Sequence, residues 1–103
     1  MNITYDNENR LLELKITEEI DHCMVEKLRN KADFEIQKYM PQKVVMDFEK
    51  VSFMDSAGIG MIIGRYKTTK MLGGTMEIAN IKPSIKKVLE MSGVLKIIPI
   101  VGK

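Results

Sequence analysis

The residues with the most obvious chemical potential lie together in Ser52-Phe53-Met54-Asp55-Ser56-Ala57-Gly58-Ile59-Gly60. A serine follows an aspartate there, between an apolar run, VVMDF, and a helix-like run, MIIGRYKTTKML. A nucleophilic serine would need a base within reach and donors for an oxyanion. His22 is the sole imidazole of the chain, and Met54 occupies the place where a nucleophile elbow, G-x-S-x-G, requires its first glycine. A nucleotide-phosphate cradle would use the free N–H groups of the helix start. The stretch has neither a P-loop lysine nor dinucleotide-motif glycine spacing, and Asp55 sets a carboxylate where free phosphate would have to come. A helix cap by Asp55 or Ser56 is the plainest account, with Gly60 and Gly64 four apart on a face that can approach a sheet closely. A fourth chemistry is covalent modification. A phosphate on a serine at the first helical position is favoured by the helix dipole, and its charge of about −1.5 to −2 would be felt mainly by a docked partner. Asp55 next door would sharpen that repulsion.

The elements that must position these residues follow from periodicity. Residues 2–7 and 10–16 read as two strands around a turn at Asn7-Glu8-Asn9, the second alternating Leu12, Leu14 and Ile16 with Glu13 and Lys15. Val25, Leu28, Ala32, Ile36 and Tyr39 recur at helical spacing, with Asp21 as the expected cap and Pro41 beyond the end. Lys43–Phe48 is a strand, 57–72 a helix stopped by Gly73-Gly74, and Thr75–Ala79 a strand. Pro83–Met91 is a helix ended by Ser92-Gly93, and Lys96–Val101 is a last strand. The order β-β-α-β-α-β-α-β predicts an α/β fold: a mixed, mostly parallel sheet with an N-terminal β-hairpin and helices packed on it. Strand–helix–strand crossovers bring every strand-to-helix loop to one sheet edge. The three loops are 19–22, 53–57 and 80–84, so Asp21, His22, Asp55 and Ser56 are expected to be neighbours there, where open α/β sheets commonly bind their ligands.

With 103 residues, 45% hydrophobic and 29% charged, the chain has the size and balance of one globular domain, spanning residues 1–103. Cys23 has no cysteine to pair with, and no metal-ligand spacing occurs. The N-terminus lacks a signal-peptide pattern and no apolar run would span a bilayer, so the expectation is a cytoplasmic protein without membrane contact, metal or cofactor. The net charge is +2, yet residues 1–55 carry twelve of the acidic side chains and residues 56–103 only two, each half having eight basic ones. Arg65, Lys67, Lys70, Lys82, Lys86 and Lys87 read as solvated helix faces. No aromatic residues interleave with them as nucleic-acid stacking requires, so direct nucleic-acid binding is not expected.

The segment VVMDFEKVSFMDSAGIGMIIGRYKTTKMLGG resembles the centre of the STAS domains, specifically the bacterial anti-sigma-factor antagonists. The nearest resemblance is to sporulation antagonists of the anti-sigma F factor. Glu19-Ile20-Asp21-His22 is similar to the E-L-D-H that precedes their first helix, and residues 81–88 and 91–98 are similar to their last helix-and-strand region. The resemblance covers about residues 3–100. It implies a binding module that is a substrate of a serine protein kinase and has no catalytic residues of its own. The matching acceptor is Ser56, phosphorylated by an anti-sigma factor that uses ATP. The unphosphorylated form would bind that kinase and free the sigma factor, and a serine phosphatase would reset the cycle. Asp21 matches the family's partner-binding aspartate, and Asp55 the residue flanking the acceptor.

Beside them His22 is a candidate contact, and Met54, Gly58, Ile59 and Met61 are candidates for an apolar docking patch whose simpler role is core packing. The chain is expected to act as a monomer. Two departures stand out: Ala57 replaces the second serine of the usual D-S-S-G, and relatives commonly continue into a further C-terminal helix. With Ala57 in place, Ser56 is the one candidate acceptor in the loop, and the residual alternatives are Ser52, expected before the loop, and Thr68 or Thr69, expected inside the helix. The alternatives that remain are a STAS module of another signalling assembly, or a nucleotide-binding protein using the same edge.

Overall fold

A computed structural model of the chain describes residues 1–101. Its elements are β1 (Asn2–Asp6), β2 (Leu11–Lys15), α1 (Val25–Tyr39), β3 (Lys43–Asp47), α2 (Ser56–Met71), β4 (Thr75–Ala79), α3 (Pro83–Ser92), a 3₁₀ turn (Val94–Lys96) and β5 (Ile100–Val101). The strands lie in sequence order, β1 antiparallel to β2 and every later pair parallel. Successive right-handed crossovers that keep moving in one direction place all their helices on one face of the sheet. Burial agrees. Leu12, Leu14, Val44, Met46, Met76 and Ile78 point into the core with Leu28, Ile36, Ile62 and Leu89 of the helices. The opposite face carries Glu13, Lys15, Lys43 and Glu77, half-buried, with ion pairs Lys43–Glu77 at 3.3 Å and Lys15–Glu49 at 3.0 Å. No helix among the described residues is long and apolar enough to cross a membrane.

Two boundaries and one packing role differ from the sequence expectation, each for a local reason. Asp21 caps a turn rather than α1 itself. Its carboxylate accepts from Cys23 N (3.0 Å) and Met24 N (2.9 Å), its carbonyl accepts from Val25 N, and the regular helix starts after that turn. Of the six residues expected in the last strand, 96–101, only Ile100–Val101 are strand. Gly93, at φ +81°, ends α3 in the left-handed region, and the following amides bond inside the 3₁₀ turn: Lys96 to Gly93 O, and Ile97 and Ile98 to Val94 O. Pairing with β4 begins only at Pro99, whose carbonyl accepts from Ile78 N at 2.9 Å. The glycines Gly60 and Gly64 do not mediate the close approach of α2. A Cβ at either would meet nothing within 4 Å.

Arg65 is not on a solvated face. It is 6% exposed, and its Nε lies 2.7 Å from Asp33 Oδ1, joining α2 to α1. The two charges pair, but Nε–H is not aimed along a hydrogen bond and Nη1 has no partner among the described residues. Burial pushes the guanidinium below its ordinary value; Asp33 opposes that and Arg29 adds to it. An ion pair of this kind costs more to break than to replace whole by apolar side chains. Asp33→Ala should therefore cost about 2 kcal/mol in urea unfolding, whereas the double change Asp33→Leu/Arg65→Met should cost less than the single one.

Candidate functional site

The site starts from backbone, not side chains. Beyond β2 and β3 the chain makes one further parallel bridge, between Ile20 and Met54. Ile20 N donates to Phe53 O (3.1 Å) and Asp55 N to Ile20 O (3.0 Å). This lays the 19–22 loop against the 52–55 loop, as the crossover argument requires. The Asp55 carboxylate then closes the junction. Oδ1 accepts from Ala57 N at 2.9 Å, making Asp55 the N-cap of α2, and Oδ2 accepts from His22 N at 3.1 Å. The His22 imidazole turns toward the same carboxylate (Nδ1–Oδ2 3.7 Å) and toward Cys23 Sγ (3.5 Å from Nε2).

The cap is therefore Asp55, and Ser56 is the first residue of α2, exposed. Asp21 and Ile59 are half-buried and His22 is exposed. The expected apolar patch needs correction. Met54 is 6% and Met61 3% exposed, and Gly58 is buried, so these three lie beneath the loop rather than on it. Close packing at this loop requires Gly58, since a Cβ there would collide with the Met54 side chain and come within 2.9 Å of Ile20 Cγ2. The apolar residue that does face solvent is Phe53, half-exposed, which the sequence reading passed over. The simple pattern of burial along an irregular loop offered no period by which to find it.

Three further polar residues hold the edge. Glu19 accepts from Ser52 N (3.0 Å) and Phe53 N (3.2 Å) at Oε1 and from Ser52 Oγ (2.5 Å) at Oε2. Lys82, from the third loop, donates to Glu49 O (2.6 Å) and Val51 O (3.2 Å). Lys82 is thus not a free basic group. The Ser52 hydroxyl, first, then the two loop amides and the charge of Lys82 hold the Glu19 carboxyl below its ordinary value of 4.5. Of the other hydroxyls named above, Thr68 is half-buried within α2, and Thr69 is buried and donates to Arg65 O at 2.8 Å.

Among the described residues no group of three or more His, Cys, Asp or Glu side chains could hold a metal ion. A cavity of about 430 Å³, lined by Asn9, Leu11, Gln42, Lys43, Gly73 and Thr75, opens at the opposite edge, by the start of β3 and β4.

The sequentially ordered sheet covered by helices on one face, with an acidic loop leading into the second helix, agrees with the STAS resemblance of the sequence. The chain belongs to the STAS family, whose model, "STAS domain", matches residues 2–103. It is 33% identical over 100 residues to an anti-sigma F factor antagonist of Paenibacillus polymyxa, covering 97% of this chain and 86% of that one. It is 30% identical over 106 residues to the anti-sigma-B factor antagonist of Bacillus subtilis, covering 100% and 94%. Among solved structures it is similar to the anti-sigma factor antagonist SpoIIAA in its unphosphorylated form, with TM-score 0.80, 26% identity and coverage of 99% of this chain and 88% of that one. The phosphorylated form of the Bacillus cell fate determinant SpoIIAA aligns with TM-score 0.70 and 27% identity, covering 92% and 84%.

Two outcomes follow from this geometry. Gly58→Ala should lower stability by about 1–3 kcal/mol, read by denaturant unfolding, while Gly60→Ala should be neutral or stabilising. The amide resonances of Ser52 and Phe53 should titrate together as Glu19 is protonated. Because the folded carboxyl is held down, its bonds persist through neutral pH and are lost only as pH falls below the ordinary glutamate value. A transition centred above 4.5 would contradict the assignment.

Proposed function

We propose that this protein is an anti-sigma-factor antagonist whose docking of an anti-sigma serine kinase is switched off by phosphorylation of Ser56. The observation that carries the reading is the placement of Ser56. It is exposed at the first position of α2, on the edge that also gathers Asp21, His22 and Asp55. The names of the relatives support the antagonist role, and SpoIIAA solved with and without phosphate supports a switch of this kind.

On this reading the chain is a substrate rather than an enzyme. The kinase transfers the γ-phosphoryl group of ATP to Ser56 Oγ, the bond to ADP breaks, and the hydroxyl proton passes to a base on the kinase. A serine phosphatase hydrolyses the ester and restores the binding form, in the cytoplasm and with the chain as a monomer. Asp21, His22 and Ile59 contribute contacts from the surface, while Met54, Gly58 and Met61 support the loop from below. The electrostatics suit a switch without refolding. Asp55 already caps the helix, so the Ser56 hydroxyl is not needed for structure, and a phosphate at that position lies at the positive end of α2. The switch calls for a partner that offers a basic group to Asp21 and a carboxylate beside Ser56: the first contact is attractive in the unmodified chain, and the second turns repulsive once Ser56 carries phosphate.

Incubation with the anti-sigma kinase and ATP should add one phosphate, located on Ser56 by mass spectrometry and absent from Ser56→Ala. Phosphate on another residue, or none, would end the assignment. Ser56→Asp should raise the Kd for the unmodified partner at least about tenfold through like-charge contact while leaving Tm nearly unchanged. Asp21→Asn should weaken the same complex.

A further inference from the structure

We propose that Glu19 and Lys82 form a positioning pair for the modification of Ser56: together they clamp the segment 49–53, fix where the acceptor hydroxyl is presented, and withhold Ser52 from the kinase. The inference rests on Ser56 being the acceptor.

Residues 49–53 lie outside the helices and strands and lead straight into the Met54 bridge and the Asp55 cap. Phe53 O accepts from Ile20 N and Val51 N donates to Phe48 O, but amides and carbonyls of the segment are left without a backbone partner. Two side chains from the other two loops of the edge supply them. Glu19 takes two amides and one hydroxyl, and Lys82 takes two carbonyls. The division follows from chemistry, since a carboxylate only accepts and an ammonium only donates. Neither residue can do the work of the other, and both kinds of backbone group on the segment are met. The depressed Glu19 carboxyl is consistent with bonds made to its charged form.

The same contacts separate the two serines of the stretch. Ser52 Oγ is committed to Glu19 at 2.5 Å in a charge-assisted bond, while Ser56 stands exposed on the helix. A kinase acting on Ser52 would first have to remove its hydroxyl from a carboxylate. Because Glu19 is exposed, these bonds add little to global stability. Their effect should appear in the geometry of phosphoryl transfer, where a displaced acceptor lowers kcat more than it weakens docking.

The test is steady-state phosphorylation of the full chain by its anti-sigma serine kinase with ATP, with each phosphate located by mass spectrometry. Glu19→Ala and Lys82→Met should each lower kcat at Ser56 about tenfold with KM within about twofold. Lys82→Arg, which keeps the donors, should recover most of the loss. Glu19→Ala should also gain phosphate on Ser52, and Glu19→Ala/Ser52→Ala should not. Circular dichroism checks each fold, and Glu19→Gln replaces Glu19→Ala if the latter is unfolded. Unchanged kcat with Ser52 unmodified would overturn the proposal, as would a rise in KM alone, which marks Glu19 and Lys82 as docking contacts. If the wild-type chain is not phosphorylated on Ser56, the functional reading itself fails. If the wild type is phosphorylated there and the variants match it, only the positioning role fails.

Discussion

Where parallel strands end, their amides and carbonyls emerge with no ladder to pair with, and the loops that follow must satisfy them or leave them to water. Here one edge concentrates the problem, because three crossovers deliver three loops to it. Charged side chains answer it in a fixed division. Asp55 takes the amides of Ala57 and His22, Asp21 those of Cys23 and Met24, Glu19 those of Ser52 and Phe53, and Lys82 the carbonyls of Glu49 and Val51. Several of these bonds span more than 30 residues of sequence. The acidity of the edge is therefore first a solution to backbone hydrogen bonding. Any role in partner recognition is added to it.

The same requirement shapes what lies beneath. For the Ile20–Met54 bridge to form, the start of α2 must sit close against both residues, which leaves no room for a Cβ at position 58. Met54 and Met61 fill the irregular gap under the loop, a task suited to an unbranched and flexible side chain. Further along α2 the Asp33–Arg65 pair fixes the helix to α1. Position, not composition, thus decides which glycines and which charges matter: Gly60 and Lys67 are exposed, while Gly58 and Arg65 are buried.

Much of this was legible in the sequence. The order of elements, the one-sheet α/β architecture and the meeting of Asp21, His22, Asp55 and Ser56 all follow from periodicity plus the handedness of crossovers. What periodicity could not reveal were contacts of irregular segments. Lys96–Val101 alternates too little to separate a strand from a turn that merely buries Val94 and Ile98, and Gly93 with Pro99 decided the matter. Arg65 falls on the buried stripe of α2 with Met61, Ile62 and Thr69, but a charged residue on such a stripe is legible only once its partner on α1 is known. The Glu19–Ser52 and Lys82–Val51 bonds were hidden for the same reason, since each joins loops of no period at all.

The cap and the switch, which compete as readings of a serine beside an aspartate, are reconciled by their division between neighbours. A serine that capped α2 would have its hydroxyl turned back to the helix amides, and a phosphate there would cost the cap. Asp55 does that work, one residue earlier, and so frees Ser56 to point outward. Under the proposed function the phosphate would sit near the Asp55 carboxylate, but in solvent the high dielectric of water keeps that repulsion modest. Against a desolvated partner surface it would not be. The discrimination between modified and unmodified chains would then arise at the moment of docking, when water leaves the edge, with no rearrangement required of the fold that presents it.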